Sequence, residues 1–447
     1  MRIAFLSDFH LGFEQAGREE EAFENAKQAF ELAVKHNADL ILISGDIFHE
    51  EVPNAKTLLQ AMELFSIAKN ANANYTKIIK IKGTAKKELA LKGIPIIAIH
   101  GTHEFRGRDY VNYLQLFESA GFIAYVHAAK AVCTINNERI VVHGLGGVPE
   151  KKALDALKLW NPKPEKDAFN VLMLHQSLKE LLPFEDEMIA TLSIADLPSG
   201  FDIIVNGHLH WQSEFNEQGK RLIIPGSTVI TQMKRLESKK PKGIYLFDTK
   251  ANKLEFLTLP NQRPFFYNKL EFENASCEEV MQSVRKQVEN ILANTFKKKP
   301  LIKIKLSGSL AKGHSQENLE LRKLVDEFKE KAIISIDANF FQEQFGKKIA
   351  ELSAMQKERK SIVELGFDLL EKNLAETDFE NAFNVRRIFR LLENGDLEKA
   401  REILLSDTGR GETEGVVGDK DEQIRQSDIK NKKESSETRT RTLSDFV

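Results

Sequence analysis

The sequence has little cysteine, no excess of one charge and no long apolar run. Its two cysteines, Cys133 and Cys277, lie far apart among 447 residues, which argues against a disulfide framework or a cysteine zinc site. The 64 basic and 66 acidic residues leave a formal charge of -2, so a polyanion site must be local or built with metal ions. No apolar run approaches the roughly 18 residues of a membrane helix, and the chain enters its first strand without a charged segment and cleavage site. We therefore expect a cytoplasmic protein without a membrane partner.

Two apolar segments near the start of the chain end in metal-binding side chains. Ile3 to Leu6 predicts a buried parallel strand, and it is followed by Asp8 and His10. Ala38 to Ser44 predicts a second strand, followed by Asp46. Parallel sheets place their ligands at the carboxyl ends of the strands, and carboxylate with imidazole suits a transition-metal ion. The pattern therefore predicts half of a metal site.

Further apolar segments are followed by histidines in the same way. The spacing His208-x-His210 after a strand directs both imidazoles to one side, as a metal site requires. We interpret His36, His127, His143 and His314 as solvated or satisfied histidines. The histidines that follow strands number five of eleven, which decides for a metal centre; they are His10, His103, His175, His208 and His210.

Taken together, the motifs resemble those of a known family. The calcineurin-type metallophosphoesterases carry similar motifs in the same order, here Asp8-x-His10, Gly45-Asp46, Gly101-Thr102-His103-Glu104, His175 and Gly207-His208-x-His210. Within that superfamily, Gly45-Asp-Ile-Phe-His49 and Leu174-His175-Gln resemble the DNA double-strand-break repair nucleases of the SbcD type, called Mre-eleven in archaea and eukaryotes. The resemblance covers residues 1 to about 265 and favours an archaeal member. It implies a four-layer α/β/β/α sandwich with a small α+β capping domain and a C-terminal helical extension.

The resemblance also implies a two-metal site with Asp46 as the bridge. Mixed nitrogen and oxygen ligation suits Mn²⁺ best, with two ions per subunit, while Fe, Zn and Mg are less favoured. Where the family usually has an Asn ligand, this chain has Thr102, so that side chain would reach the metal through a water or hold the second ion more weakly. The remaining implied ligands are Asp8, His10 and His210 for one ion and His175 and His208 for the other.

Two more histidines are assigned by the resemblance to the reaction itself. His103 would protonate or stabilise the leaving oxygen, and His49 would help to position the substrate strand. With these residues the site would hydrolyse phosphodiester bonds of DNA. A small-molecule or nucleotide phosphodiesterase with the same metals, and a weakly active DNA-end-binding scaffold, remain as alternatives.

The chain is predicted to divide at residues 264, 340 and 405. Residues 1–264 would form the nuclease domain, in which 69–92 reads as an insertion or long loop, and 221–227 and 243–248 read as strands of the antiparallel part of the second sheet. Residues 265–340 predict a strand, helix, strand, helix and strand, which resemble the capping domain. Its lysines Lys297, Lys298 and Lys299 are candidate DNA-backbone contacts or a solvated basic strand edge.

The C-terminal part predicts partner binding. Residues 378 to 405 form two short amphipathic helices that cannot bury their apolar faces alone. In the family an equivalent pair binds the coiled coil of an SMC-like ATPase of the Rad-fifty or SbcC type, and the nuclease is a homodimer. Since this chain has no Gly-x-x-x-x-Gly-Lys-Ser/Thr loop, ATP dependence must come from such a partner. The candidate partner-binding residues are Phe379, Phe383, Ile388, Phe389, Leu392 and Leu397.

The tail, 406–447, is polar and predicted to be disordered. Leu443, Phe446 and Val447 at its end would share one side of a helical turn. They resemble the sliding-clamp-binding peptide found at the end of many DNA-processing proteins, although Thr440 stands where Gln is usual. Chance apolar residues are the alternative interpretation.

Overall fold

The computed structural model describes residues 1–105, 111–182, 192–217, 219–341 and 385–393, with residues 367, 370, 399 and 401. Within these ranges the helices are α1 (Glu21–Lys35), α2 (Ala55–Lys69), α3 (Tyr113–Ser119), α4 (Glu150–Trp160), α5 (Arg235–Lys239), α6 (Cys277–Leu292), α7 (Leu321–Phe328) and α8 (Val385–Glu393). The strands are β1 (Arg2–Leu6), β2 (Leu40–Ser44), β3 (Tyr75–Lys82), β4 (Ala85–Lys92), β5 (Ile96–Ile99), β6 (Ala124–Tyr125), β7 (Ala129–Ile135), β8 (Glu138–Leu145), β9 (Phe169–Leu174), β10 (Ile203–Asn206), β11 (Ser213–Glu217), β12 (Lys220–Ile224), β13 (Gly243–Asp248), β14 (Lys253–Thr258), β15 (Phe265–Ala275), β16 (Leu301–Leu310) and β17 (Ile333–Phe341).

Two sheets stack face to face in the first part of the chain. The first has the order β14-β13-β1-β2-β5-β6 and the second the order β11-β12-β10-β9-β8-β7-β3-β4. Apolar side chains from both, including Phe5, Leu42, Val142 and Met173, form one buried core between them. Helices α1, α2 and α3 cover the outer face of the first sheet, and α4 covers that of the second. This is the predicted four-layer α/β/β/α sandwich, and the burial of both faces explains the continuous apolar runs.

The segment predicted as an insertion or long loop is instead a β-hairpin. Strands β3 and β4 pair with each other, and β3 pairs antiparallel with β7, so the hairpin extends the second sheet. Ile78 and Leu91 on one face of the hairpin are buried in the core between the sheets. The prediction was wrong because the few apolar residues are diluted by lysines, whereas a strand at the border of a sheet needs apolar residues on one face only.

The placement of residues 243–248 in the second sheet was also wrong. Strand β12 does belong to the second sheet, parallel to β10 and antiparallel to β11. Strand β13, however, pairs antiparallel with β1 in the first sheet. A short buried apolar run fits either sheet, so the local sequence could not decide between them.

A third sheet follows, with β15, β16 and β17 all parallel. Helix α6 begins at a capping box in which Ser276 and Glu279 bond each other's backbone N–H groups, and it buries Val280, Val284 and Val288 against this sheet. The predicted alternation of strands and helices is present. The second helix differs, because residues 316–331 form a 3-10 turn, Gln316–Asn318, and the short α7.

A buried charge cluster joins the third sheet to α1. The Glu21 carboxylate accepts from Arg18 Nε at 2.8 Å and from Arg263 Nε at 2.7 Å. Arg18 also donates to the Ile230 carbonyl at 2.6 Å, and Arg263 donates to the Lys299 carbonyl, where β16 approaches, at 2.6 Å. These side chains are at most 8% exposed, so the joint is an interior one.

Beyond residue 341 the structure describes α8 and four single residues. In α8 Ile388 is buried and Phe389 is 46% exposed. Phe379, Phe383, Leu397, the tail residues Leu443, Phe446 and Val447, and the side chain of Leu392 lie outside the described residues. No helix in the described ranges is both long and apolar enough to cross a membrane.

Candidate metal centre

The strand ends bring the predicted ligands together at one edge of the sandwich. Among the described residues, three groups of three side chains have their potential ligand atoms within 4.8 Å of one another; one is His10, His49 and His103, and the other two consist of predicted metal ligands. The first of these two groups combines both sheets, since Asp8 and His10 follow β1 and His210 follows β10. The other does the same with Asp46 after β2 and His175 after β9, together with His208. The fold therefore assembles six of the seven predicted metal ligands into two groups.

In the first group the imidazoles face each other. His10 Nε2 lies 3.1 Å from His210 Nε2, which lies 3.8 Å from Asp8 Oδ1. The Nδ1 atom of His210 is 3.0 Å from the Thr231 hydroxyl. Since Nδ1 is thus engaged, Nε2 is the nitrogen that faces the group.

In the second group His175 Nε2 lies 3.2 Å from Asp46 Oδ2. The Nδ1 atom of His175 donates to the Ser44 carbonyl at 2.6 Å, which turns the other nitrogen toward the carboxylates. Gly45, with φ +94°, precedes Asp46, and a Cβ there would overlap the His175 ring. A glycine is therefore required for the two ligands to approach each other.

The backbone at four ligand positions is left-handed. Asp8, His10, Asp46 and His208 have φ of 53°, 50°, 48° and 77°. For residues with a side chain such conformations cost on the order of 1–3 kcal/mol each and cluster at functional sites. The strain at these four strand ends therefore points to the same place as the ligand chemistry.

The charges of the two groups call for a cation. Burial raises the pKa of Asp8 to about 7 and lowers the pKa of His10 to about 3 and of His208 to about 4. Burial also opposes charge on His175, yet Asp46 and Asp8 raise its pKa to about 10. The proton on His175 is thus the positive charge that faces two buried carboxylates. A divalent ion bound between the groups would supply that positive charge instead.

One buried carboxylate oxygen of the groups makes no hydrogen bond among the described residues. It is Asp8 Oδ1, which lies 3.8 Å from His210 Nε2. Buried polar atoms are normally satisfied. The donor set, mixed imidazole and carboxylate, fits a first-row divalent metal, so these residues fit the implied metal pair.

His49 and His103 stand beside the first group. His49 Nδ1 is 3.4 Å from His10 Nδ1, and the rings of His49 and His103 stack with centroids 5.3 Å apart. His103 donates its backbone N–H to Asp46 Oδ1 at 3.0 Å and its Nδ1 bonds the His49 carbonyl at 2.6 Å. Both side chains are half-buried, so they can meet a substrate at the mouth of the site.

The N-terminal part of the chain is similar to a known protein family. Residues 1–212 match the calcineurin-like phosphoesterase family. The chain carries a calcineurin-like phosphoesterase domain. The DNA double-strand break repair protein Mre11 of Archaeoglobus fulgidus is 26% identical over 384 residues, which cover 79% of this chain and 80% of that protein.

Two other relatives match less of their own length. Mre11 of Sulfurisphaera tokodaii is 30% identical over 257 residues, 55% of this chain and 59% of that protein. The double-strand break repair protein MRE11 of Arabidopsis thaliana is 24% identical over 368 residues, 69% of this chain and 50% of that protein. The chain thus spans between half and four fifths of the curated relatives it matches, and its resemblance to the repair nucleases is confirmed.

The phosphoesterase domain contains residues that hold the ligand loops in place and that the sequence did not reveal. The buried Glu104 carboxylate accepts from the backbone N–H groups of Asp46 at 3.1 Å, Phe48 at 2.7 Å and Gly101 at 2.5 Å. It therefore fixes the loop that presents Asp46. Its place next to His103 in the Gly101–Glu104 motif was the available signal, but the motif alone did not indicate this role.

A buried ion pair beside the first group holds the backbone of His210 in place. Lys242 Nζ donates to the His210 carbonyl at 2.6 Å and to Glu237 Oε1 at 2.7 Å, and both charged side chains are buried. Beside the second group, Glu150 Oε1 lies 3.9 Å from His208 Nε2. No motif surrounds these three residues, so spacing alone could not find them.

Thr102 and the three candidate DNA-binding lysines do not belong to the two metal groups. Thr102 follows Gly101 at the rim and is half-buried. Lys298 pairs with Glu24 of α1 at 2.9 Å, and Lys299 with Glu330 at 3.3 Å. Lys297 and Lys298 line a groove of about 580 Å³ between α1 and the start of the third sheet, away from the metal groups.

Proposed function

We propose that this protein is an Mn²⁺-dependent DNA nuclease, with exonuclease and endonuclease activity, that processes ends at double-strand breaks. The two adjacent ligand groups at one edge of the sandwich carry the proposal, and the relatives named Mre11 support its substrate. Two divalent ions in such groups supply Lewis-acid stabilisation of the phosphodiester oxygens. Asp46, in the second group and bonded by the His103 N–H, would be the shared ligand, and Thr102 would bind only through a water.

The chain's own residues would handle the leaving group. The Nδ1–H of His103 is donated to the His49 carbonyl, so Nε2 of the ring in its imidazolium form would give its proton to the leaving oxygen and leave a neutral imidazole. His49, stacked on His103, would hold that ring and face the substrate strand. We further propose that residues 265–340 form a cap beside this site, with Lys297, Lys298 and Lys299 near the duplex.

Hydrolysis of several substrates in parallel tests the proposal. With Mn²⁺, the protein should degrade linear duplex and single-stranded DNA and hydrolyse bis-nitrophenyl phosphate, while His208→Ala should be inactive on all three. The matched control is His314→Ala, since His314 is not a predicted ligand and its Nδ1 accepts from the backbone N–H of Cys277 at the start of α6, at 3.4 Å. Hydrolysis of small substrates without DNA cleavage would favour the small-molecule phosphodiesterase, and DNA binding without cleavage would favour a scaffold.

We propose a homodimer in which the outer surfaces of α2 and α3 meet. Three apolar side chains on these helices are largely exposed, Leu59 by 56%, Met62 by 41% and Leu116 by 53%. Monomeric proteins rarely leave such a patch open to water. Leu59→Glu should convert the protein to a monomer in light scattering; a dimer of unchanged mass would place the interface elsewhere.

We propose that the helices predicted in 378–405 bind an SMC-like coiled-coil ATPase. The exposed Phe389 on α8 supports this docking, because a free helix gains little by presenting an aromatic side chain to water. Deletion of 378–405 should abolish co-purification of the ATPase and leave hydrolysis of bis-nitrophenyl phosphate unchanged. A tail peptide ending in Phe446 and Val447 is proposed to bind the sliding clamp, with Phe446→Ala as its control in titration.

A further inference from the structure

The β3–β4 hairpin concentrates positive charge in a chain that is nearly neutral. Between Tyr75 and Lys92 it contains six lysines and one glutamate, a net charge of +5, against -2 for the whole chain. Such a local concentration of lysine attracts polyanions even when the chain as a whole does not. The hairpin is therefore a candidate site for a negatively charged ligand.

Half of these lysines are neutralised within the protein. Lys77 pairs with Glu88 at 2.7 Å, and Lys80 and Lys87 pair with Glu118 of α3 at 2.8 and 2.9 Å. The two pairs with Glu118 tie the hairpin to the body of the protein. Of the six hairpin lysines, the three that form no ion pair with a described residue are Lys82, Lys86 and Lys92.

The tip of the hairpin lies at the metal-bearing edge of the second sheet. Strand β3 is antiparallel to β7, and β7 is antiparallel to β8, so β3 runs in the direction of β8 and β9. The register places Ile81 level with Leu172, and Lys82 therefore lies level with Met173, two residues before His175. Three strand spacings separate β3 from β9, which amounts to about 14 Å.

The tip is held rigidly and faces water. Ile78 and Leu91 anchor the stem in the core. The strands join through Gly83 and Thr84, and a Cβ on Gly83, with φ +57°, would meet no atom within 4 Å. Lys82 and Lys86 flank this turn and are exposed. Two unpaired cations are thus presented at a fixed distance from the metal groups.

We propose that Lys82 and Lys86 at the hairpin tip bind the phosphate backbone of the nucleic acid that occupies the metal site. The inference rests on the proposed nuclease function. At about 3.4 Å per step along one strand, a separation of about 14 Å places this contact roughly four nucleotides from the cleaved bond. The hairpin would therefore hold the substrate on the far side of the site from the third sheet, without reading its sequence.

Binding of a labelled 20-base-pair duplex by fluorescence anisotropy, in EDTA and at 50 to 200 mM salt, tests this contact. The variant is Lys82→Gln with Lys86→Gln, and the matched control is Lys77→Gln with Lys92→Gln, which removes the same charge from the other end of the hairpin. At 0.1 M salt the tip variant should lose up to roughly 8-fold in affinity per lysine, and its log–log salt slope should fall by about 2. Its hydrolysis of bis-nitrophenyl phosphate should be unchanged.

The controls separate the inference from the proposed function. Equal losses in both variants would mean that only the general charge matters and would overturn the inference, as would an unchanged affinity in the tip variant. A wild-type protein that neither binds nor cleaves DNA would overturn the nuclease proposal itself. If the tip variant lost binding to an acidic protein partner rather than to DNA, the hairpin would be a protein-docking element and the inference would be wrong.

Discussion

Replacing Glu21 by Gln tests the buried joint between α1 and the third sheet. The Glu21 carboxylate lies between two guanidinium groups, with Arg18 fully buried and Arg263 8% exposed. Without its charge, two cations remain buried side by side with a neutral amide between them. Removal of one partner from a buried ion pair costs about 3–5 kcal/mol. For a domain of this size such a loss lowers Tm by roughly 6–20 °C.

The chain offers a matched control on the same helix. Glu24 also bonds a lysine of the third sheet's region, Lys298, at 2.9 Å, but this pair is exposed by 54% and 27%. Exposed ion pairs contribute about 0–1 kcal/mol because water and salt screen them. Urea titrations of Glu24→Gln and Glu21→Gln should therefore differ by at least about 2 kcal/mol in the free energy of unfolding.

The order of single and double substitutions sharpens the test. Arg263→Met should cost less than Glu21→Gln, because Arg18 and Glu21 then remain as a neutral pair at 2.8 Å. In the double variant Glu21→Gln with Arg263→Met, only the Arg18 cation stays buried. The loss in free energy of unfolding should therefore be smaller than the sum of the two single losses. If Glu21→Gln unfolds with the same free energy as Glu24→Gln, the joint contributes little and the reasoning fails.

Three further substitutions probe the site and the core. Thr102→Asn should tighten Mn²⁺ binding in calorimetry, with Thr102→Val as a control that gains nothing; tighter binding by the natural protein would contradict our view of that position. Thr231→Val should weaken Mn²⁺ affinity roughly 10–100-fold, because Thr231 orients His210, and an unchanged affinity would remove that role. Burial lowers the pKa of His143 to about 4, so its contribution to stability is present above pH 6.5 and lost as the pH falls toward 4. In His143→Leu the decline of unfolding free energy between pH 6.5 and 4 should be shallower by up to about 1.4 kcal/mol per pH unit, and an equal decline would contradict the assignment.

The positions of the ligands were predictable because they depend on strand direction alone. Asp8, Asp46 and His175 each follow an apolar run, and parallel strands gather such residues at one edge whatever the order of the strands. The stacking of two sheets was implied only by the family resemblance, since strands buried on both faces fit a single sheet covered by helices equally well. Local pattern was sufficient for the ligand positions.

What the sequence could not supply are the contacts between distant segments. Glu21 and Arg263 are 242 positions apart, and Lys242 meets the carbonyl of His210 only because α5 returns the chain behind that ligand. Each of these residues is an ordinary charged side chain in its local sequence. The strands of the β3–β4 hairpin were not predicted for another reason. The apolar face of the hairpin consists of only a few residues, and its many lysines are typical of a loop.

The structure around the ligand groups holds them together against backbone strain and charge repulsion. Four ligand residues hold left-handed backbone, at on the order of 1–3 kcal/mol each, and Asp8 and Asp46 are buried close enough to repel each other. Glu104 and the Ser44 carbonyl fix the loops through hydrogen bonds of 2.5 to 3.1 Å, so the ligands cannot relax away from one another. A divalent ion would remove the carboxylate repulsion and require neutral imidazoles; the lowered pKa values of His10 and His208 already favour this, whereas His175, whose pKa is raised to about 10, would lose its proton to the solvent. The fold thus gathers these side chains at one place, so little of the binding free energy of an ion would be spent on bringing them together.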